Sequence, residues 1–255
     1  MILVQTLIKK GVVKTRVPVV VAGAAAGTEA PSTFSAEDRK RVMVVLMMLC
    51  FSMTFWFVFQ QAGSSLTLFA REYTDRVLGG FEIPASWFQT INAFLIVALG
   101  PVFALLWKKR TGKFPASPIK FALGIMFAAF GFFWLVPHAY SARPTLDPTV
   151  GINHVNMGWL VGVYVFHTIG ELCVSPVGMA YVSKLAPKQL SGQLMGAWFF
   201  ATGIGSYMAG KTAGLMNAYP VWQIFLFCGL IALGMSLLLW FVVSRVIHKI
   251  MGGYS

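Results

Sequence analysis

The chain has 255 residues, of which 57% are hydrophobic and 11% are charged. Soluble domains carry about 25% charged residues, so a water-soluble globular enzyme is excluded. A net charge of +12 would suggest nucleic acid for a soluble protein. Here the positive side chains lie in short loops between long apolar runs, so the expected partner is the lipid bilayer and not nucleic acid.

Residues 1–35 read as a cytosolic N-terminal segment or linker remnant. Within them, 17–26 (VPVVVAGAAA) is apolar but too short to span. Basic residues before it and the Ala-rich end fit a signal peptide. Cleavage there would leave Arg39, Lys40 and Arg41 outside, against the positive-inside rule, so a linker or helix remnant is the expectation. Ser35-Ala36-Glu37-Asp38 resembles a capping box and predicts a helix beginning near Ala36.

A bilayer core takes about 20 apolar residues per helix. Six stretches qualify: 42–70, 84–107, 118–137, 157–183, 190–216 and 221–247. Pro84, Pro118, Pro187 and Pro220 stand near span openings, where a missing N–H costs nothing. The predicted fold class is therefore an all-α integral membrane protein, a six-transmembrane-helix bundle over 36–248. Residues 249–255 form a short cytosolic tail. The 138–156 segment reads as an ordinary outward connection.

Loop charge sets the orientation. Lys9, Lys10, Lys14, Arg16, Arg39, Lys40, Arg41, Lys108, Lys109, Arg110, Lys113, Lys120, Lys184, Lys188, Arg245 and Lys249 share one side, and Arg71, Arg76, Arg143 and Lys211 the other. This asymmetry predicts a multi-pass protein of the inner or plasma membrane with both termini cytoplasmic.

Glu171 is the single acid within the six spans and stands near the middle of 157–183. A charge at midplane costs about 2.5–3.5 kcal/mol on insertion scales, so such residues face a cavity or a partner. A carboxyl that exchanges its proton there has the property of a proton-coupling group. The bland alternative is a protonated, hydrogen-bonded structural glutamate. Pro176 cannot bond the carbonyl of Leu172, so the helix is predicted to bend or open beside the acid. His167 lies one turn before Glu171 on the same face and is a candidate relay or, more plainly, a packing residue. One imidazole and one carboxylate do not make a metal site, and Cys50, Cys173 and Cys228 lie inside apolar runs without zinc or disulfide spacing. Gln60, Gln61, Ser64, Ser65, Gln89, Asn92 and Thr202 add polarity to the spans, as a polar bundle interior needs. Ala197, Ala201, Gly205, Ala209 and Ala213, with Gly192 and Gly196, form a small-residue ridge for close helix approach. Trp198 beside it is either core filler or a cavity wall.

Five runs read together: FSAEDRKR (34–41), FWFVFQQAGSSLTLFA (55–70), IPASWFQTIN (83–92), GELCVSPVGMAYVSKLAP (170–187) and GQLMGAWF (192–199). In this order and spacing the chain resembles, over about 35–247, the C-terminal half of a proton-dependent oligopeptide transporter, the POT family of the major facilitator superfamily. The resemblance implies two six-helix halves rocking about a central site, of which this is the second, and proton-driven symport of di- or tripeptides by alternating access. It implies that Glu171 binds the peptide amino terminus and couples protons, that Asn92 contacts the peptide, and that Trp198 lines the pocket. Thr202 would hold a neighbouring hydroxyl position, and Ser175, one turn from Glu171, would face the same cavity. No cofactor beyond the proton gradient is implied.

The resemblance breaks at Phe59-Gln60-Gln61, where many members carry an acid, so a charge for gating salt bridges is missing and Gln60 and Gln61 take its place. The features expected of an N-terminal half are absent, which predicts a missing half or an oligomer partner. The alternative is a membrane-embedded assembly or regulatory partner, or a fragment inactive alone. An intramembrane enzyme using Glu171 and His167 lacks a nucleophile–base pair or a metal set.

Overall fold

Ser35 opens the first helix by a reciprocal cap. The Asp38 N–H donates to Ser35 Oγ at 3.0 Å and the Ser35 N–H donates to Asp38 Oδ2 at 3.1 Å, satisfying two backbone donors that a helix start leaves free. The computed structural model describes residues 35–109, 117–142 and 153–251. The apolar run 17–26, most of the 1–35 segment, the basic 110–116 stretch and the end of the 249–255 tail lie outside the described residues.

From that cap α1 runs over Ala36–Phe59 and gives way to a 3-10 turn at Gln60–Gly63. The span resumes as α2, Ser65–Tyr73. A turn at Ala85–Trp87, capped by Pro84, leads into α3, Phe88–Lys109. Then come α4, Ser117–Ser141, α5, Met157–Leu185, and α6, Ser191–Gly214. Pro220 caps α7, Val221–Leu238, which passes through a π turn at Leu239–Val243 into α8, Ser244–Ile250.

Among the described residues, five stretches are long and apolar enough to cross a membrane: Ala36–Tyr73, Ala85–Lys108, Ser117–Ser141, Met157–Leu185 and Val221–Ile250. The sixth predicted span, α6, has the length, 24 residues, or about 36 Å at 1.5 Å per residue. Its glycines, hydroxyls, Gln193 and Lys211 leave it less apolar.

The connections hold more structure than the sequence suggested. Thr74–Asp75 (β1) pairs in parallel with Val155–Asn156 (β4), so the end of the 138–156 connection is tied to the loop after α2. Val77–Leu78 (β2) and Phe81–Glu82 (β3) form a hairpin whose turn, Gly79 and Gly80, has φ of 59° and 83°. Two consecutive positive φ angles suit a tight hairpin turn and strain any residue but glycine. Arg76 closes the hairpin, donating to Ile83 O at 2.6 Å and to Glu82 Oε1 at 2.5 Å.

Helix packing is set by glycines where backbones meet. In the α4–α5 crossing, a Cβ on Gly170 would sit 2.6 Å from Gly124 O, and one on Gly124 2.6 Å from Gly170 O. Around it Phe121, Ile125, Ala128, Phe132 and Val174 are fully buried, and α7 backs α4. The predicted ridge on α6 does face a neighbour: a Cβ on Gly205 would lie 2.8 Å from both Met53 O and Phe57 N of α1, and Ala201 and Ala209 are buried beside it. Gly192 and Gly196, however, have no such neighbour and add nothing to that contact. The α3 helix packs on α5 and leaves an apolar face open, with Phe94 73% and Val97 76% exposed. On α6, Phe199, Phe200 and Tyr207 are likewise exposed.

Candidate functional site

Glu171 stands at the midpoint of α5, half-buried, on the side where α3 crosses. One amide joins the two helices. Asn92 Nδ2 on α3 donates to Glu171 Oε2 and to Thr168 Oγ1, both at 3.0 Å. Thr168, fully buried, spends its own proton on Tyr164 O at 2.7 Å. Its hydroxyl can therefore only accept from Asn92, which fixes which end of the amide is NH2. Both amide hydrogens are thus used. Asn92 Oδ1 and Glu171 Oε1 remain with no hydrogen bond from the described residues, on the two side chains that meet at the half-buried α3–α5 seam. The ion pairs among the described residues are Arg41–Glu37, Arg71–Glu72 and Arg76–Glu82, all near helix ends or in the loop. None involves Glu171. The site offers carboxyl and amide oxygens, and no ion pair among the described residues reaches it.

A lone threonine in an apolar run carries no sequence signal, so Thr168 is identified only by the structure. Its position three residues before Glu171, on the face that meets Asn92, is a tertiary fact. Thr168→Val keeps shape and removes the hydroxyl, freeing one amide hydrogen and letting the Asn92 side chain rotate. Dipeptide affinity is expected to fall about fivefold, the equivalent of one neutral hydrogen bond, with little change in thermal stability; titration calorimetry on the solubilised protein measures it.

The other anticipated residues fall into two groups. Gln60 and Thr202 are joined through Ser206, which the sequence does not single out: Gln60 Nε2 donates to Ser206 Oγ at 3.1 Å, Ser206 Oγ to Thr202 O at 3.0 Å, and Thr202 Oγ1 to Trp198 O at 3.1 Å. A neutral hydrogen bond thus joins α1 to α6 where an acid was expected by resemblance. Trp198 is buried: its ring lies over Gly178, where a Cβ would come within 2.2 Å of the indole, and meets Phe121 edge-on at 6.2 Å. Of the two sequence readings, core filler is the one that this packing matches. His167 lies with Phe132 at 5.0 Å and Phe59 at 6.1 Å, in room that Gly131 leaves by lacking a side chain. It faces α4 and the end of α1 while Glu171 bonds to α3, so the two are not brought together. Ser175 Oγ is buried with no hydrogen-bond partner among the described residues.

The backbone break lies elsewhere than expected. Helix α5 runs unbroken through Pro176, because one proline removes one bond and neighbouring helices hold the rest. The span that opens is the first, at Gln60–Gly63. Its carbonyls are capped by side chains: Gln61 Nε2 donates to Phe57 O at 3.2 Å, Ser64 Oγ to Gln60 O at 3.1 Å, and Thr67 Oγ1 to Ala62 O at 2.8 Å. Gln61 is fully buried and takes a 2.6 Å bond from Ser65 Oγ. The run Gln-Gln-Ala-Gly-Ser-Ser is a turn signal set inside a pattern that is otherwise that of a continuous apolar helix.

Comparison with known proteins decides the family. The POT family model matches residues 20–227. This chain belongs to the POT family. Over 186 residues it is 42% identical to peptide transporter YePEPT of Yersinia enterocolitica, covering 72% of this chain and 35% of that protein. It is 33% identical over 189 residues to dipeptide and tripeptide permease A of Erwinia pyrifoliae, covering 74% and 37%. The fold matches a crystal structure of a peptide transporter POT variant in complex with alafosfalin, with TM-score 0.74 and 32% identity over 88% of this chain and 44% of that one. A POT family transporter in complex with 5-aminolevulinic acid gives TM-score 0.73 at 26% identity, over 85% and 43%. The chain thus spans between a third and a half of the length of these relatives, which suits one half of the transporter.

Proposed function

We propose that this POT family chain forms one six-span wall of a di- or tripeptide site in a proton-coupled symporter, and that the Glu171–Asn92 pair receives the peptide's amino terminus. The single observation that carries the reading is that Glu171 is hydrogen-bonded to Asn92 across the α3–α5 seam, while Glu171 Oε1 and Asn92 Oδ1 keep no partner among the described residues once Thr168 and Glu171 have used both amide hydrogens. An ammonium group is a cation with three donors and matches two oxygens and one negative charge. A carboxylate in the membrane core without a counter-ion is stabilised by such a cation or by a proton. Occupation of Glu171 by the ammonium group therefore depends on its protonation, which links peptide binding to protons; carrying both together further requires that the displaced proton stay on another group of the complete transporter.

Peptide transport is what the relatives' names describe, and the site chemistry agrees with it. In this reading α6 counts as the sixth span, its reduced hydropathy reflecting contacts with a second half instead of lipid. The open apolar faces of α3 and α6 meet that half, which also brings the groups for the peptide carboxylate, and the two halves rock in alternating access. The loop charges support a bundle in the inner or plasma membrane with both termini cytoplasmic, and in this reading the proton gradient is the driving force.

The test is equilibrium binding of labelled dialanine to the solubilised chain. Free dialanine is expected to compete at least about tenfold better than its N-acetylated form, since a charge-assisted hydrogen bond is lost. Equal competition by the two forms overturns the assignment. The same protein in proteoliposomes then separates the alternatives: uptake driven by an acidic exterior supports an active assembly, and binding without uptake supports the need for a second half.

A further inference from the structure

Pro176 has no N–H, so Leu172 O, the carbonyl next to Glu171, lacks its helical donor, and the pyrrolidine ring pushes that carbonyl outward. In the membrane core such an acceptor needs a replacement donor. One is supplied from α3: Trp107 Nε1 lies 3.5 Å from Leu172 O. The indole is oriented by Phe103, edge-on at 6.1 Å, and by Lys120 of α4, whose ammonium stands 4.9 Å from the ring centroid. A cation over the ring face draws electron density from the indole and makes its N–H a better donor. The α3 helix therefore grips α5 on both flanks of the carboxyl, through Asn92 at Glu171 and Thr168, and through Trp107 at Leu172.

We propose that Trp107 is a positioning residue for the Glu171 site: its N–H caps the carbonyl that Pro176 leaves open and so holds the turn that carries the carboxylate against Asn92. Trp107 does not touch the substrate in this assignment; it acts through the backbone of α5. The proposal rests on the reading of Glu171 as the amine-binding group.

The proline itself supplies the test. Pro176→Ala restores a backbone donor for Leu172 O and makes the Trp107 N–H redundant. Trp107→Phe keeps an aromatic ring beside Lys120 and removes the donor. In the native background, Trp107→Phe is expected to speed amide exchange over 171–177 about fivefold and to weaken dialanine binding by a similar factor, the equivalent of one weak hydrogen bond. In the Pro176→Ala background the same substitution is expected to change either quantity less than about twofold, the non-additivity that marks a direct coupling. Equal losses in both backgrounds overturn the proposal, because they reveal only lost ring packing. Faster exchange without weaker binding overturns the positioning role while leaving the cap intact. If the native chain binds no dialanine, the functional reading fails, and the exchange measurements, made without ligand, still decide whether Trp107 caps Leu172.

Discussion

Glu171→Gln is expected to abolish the response of dipeptide uptake to a proton gradient and to weaken dipeptide binding about thirtyfold. Glutamine keeps the shape of the side chain, and an oxygen can still accept from Asn92 Nδ2. It loses the negative charge that, in the proposed function, would face an ammonium group, and the proton that Glu171 would exchange. Truncating one partner of a desolvated, hydrogen-bonded charge pair costs about 2–5 kcal/mol. The lower end applies because the site is half-buried and the amide retains a hydrogen bond; about 2 kcal/mol is about thirtyfold in affinity. The direction with pH separates this account from simple damage. Binding to the native protein is expected to weaken as protons occupy the carboxyl, whereas binding to the glutamine variant is expected to be flat over the same range. Uptake into proteoliposomes with and without an acidic exterior, beside binding at several pH values, measures both. A glutamine variant whose uptake still follows the gradient would remove Glu171 from the coupling.

Gly170→Ala is expected to be among the most destabilising single changes in the bundle, although it adds one methyl group to an apolar crossing. The new Cβ would lie 2.6 Å from the carbonyl oxygen of Gly124 on α4. That neighbour is backbone, so it cannot swing aside as a side-chain tip could. Relief requires α4 and α5 to separate along a seam filled by Phe121, Ile125, Ala128 and Val174, all fully buried. Overpacking a tight core costs about 1–3 kcal/mol, and the upper end applies where backbone meets backbone. The same displacement moves α5 relative to α3 and pulls Glu171 from Asn92, so binding falls with stability. Gly196→Ala is the control: an added Cβ there meets nothing within 4 Å, and no loss is expected. Thermal unfolding in detergent of the two variants, with dialanine binding alongside, checks the contrast.

Much of the membrane architecture is legible without coordinates because its causes are local. Hydropathy runs mark the spans, Ser35 and Asp38 mark the first helix start, and prolines mark several of the others. An acid stranded at midplane announces a site by its cost alone. The small-residue ridge on α6 also declares itself, but not its extent: Gly205 meets the α1 backbone, while Gly192 and Gly196 meet nothing. The break in the first span is present in the sequence as a polar, glycine-containing run, but the apolar pattern that continues on either side hides it. The proline in α5 does not open the helix, and Trp107 of α3 stands 3.5 Å from the carbonyl that it leaves without a donor.

The sequence by itself determined that this is a bundle of apolar helices with one carboxyl at its centre, since burial cost, caps and hydropathy act within a few residues of each other. Only the tertiary structure decided what that carboxyl meets: Asn92 stands 79 residues away from Glu171 in the chain and Trp107 stands 65 away from Leu172. Whether a hydroxyl such as Thr168 aims an amide, or an indole such as Trp198 fills a core, depends on which helix faces it. Close approach through glycine settles that, and it is a relation between distant segments that no local pattern records.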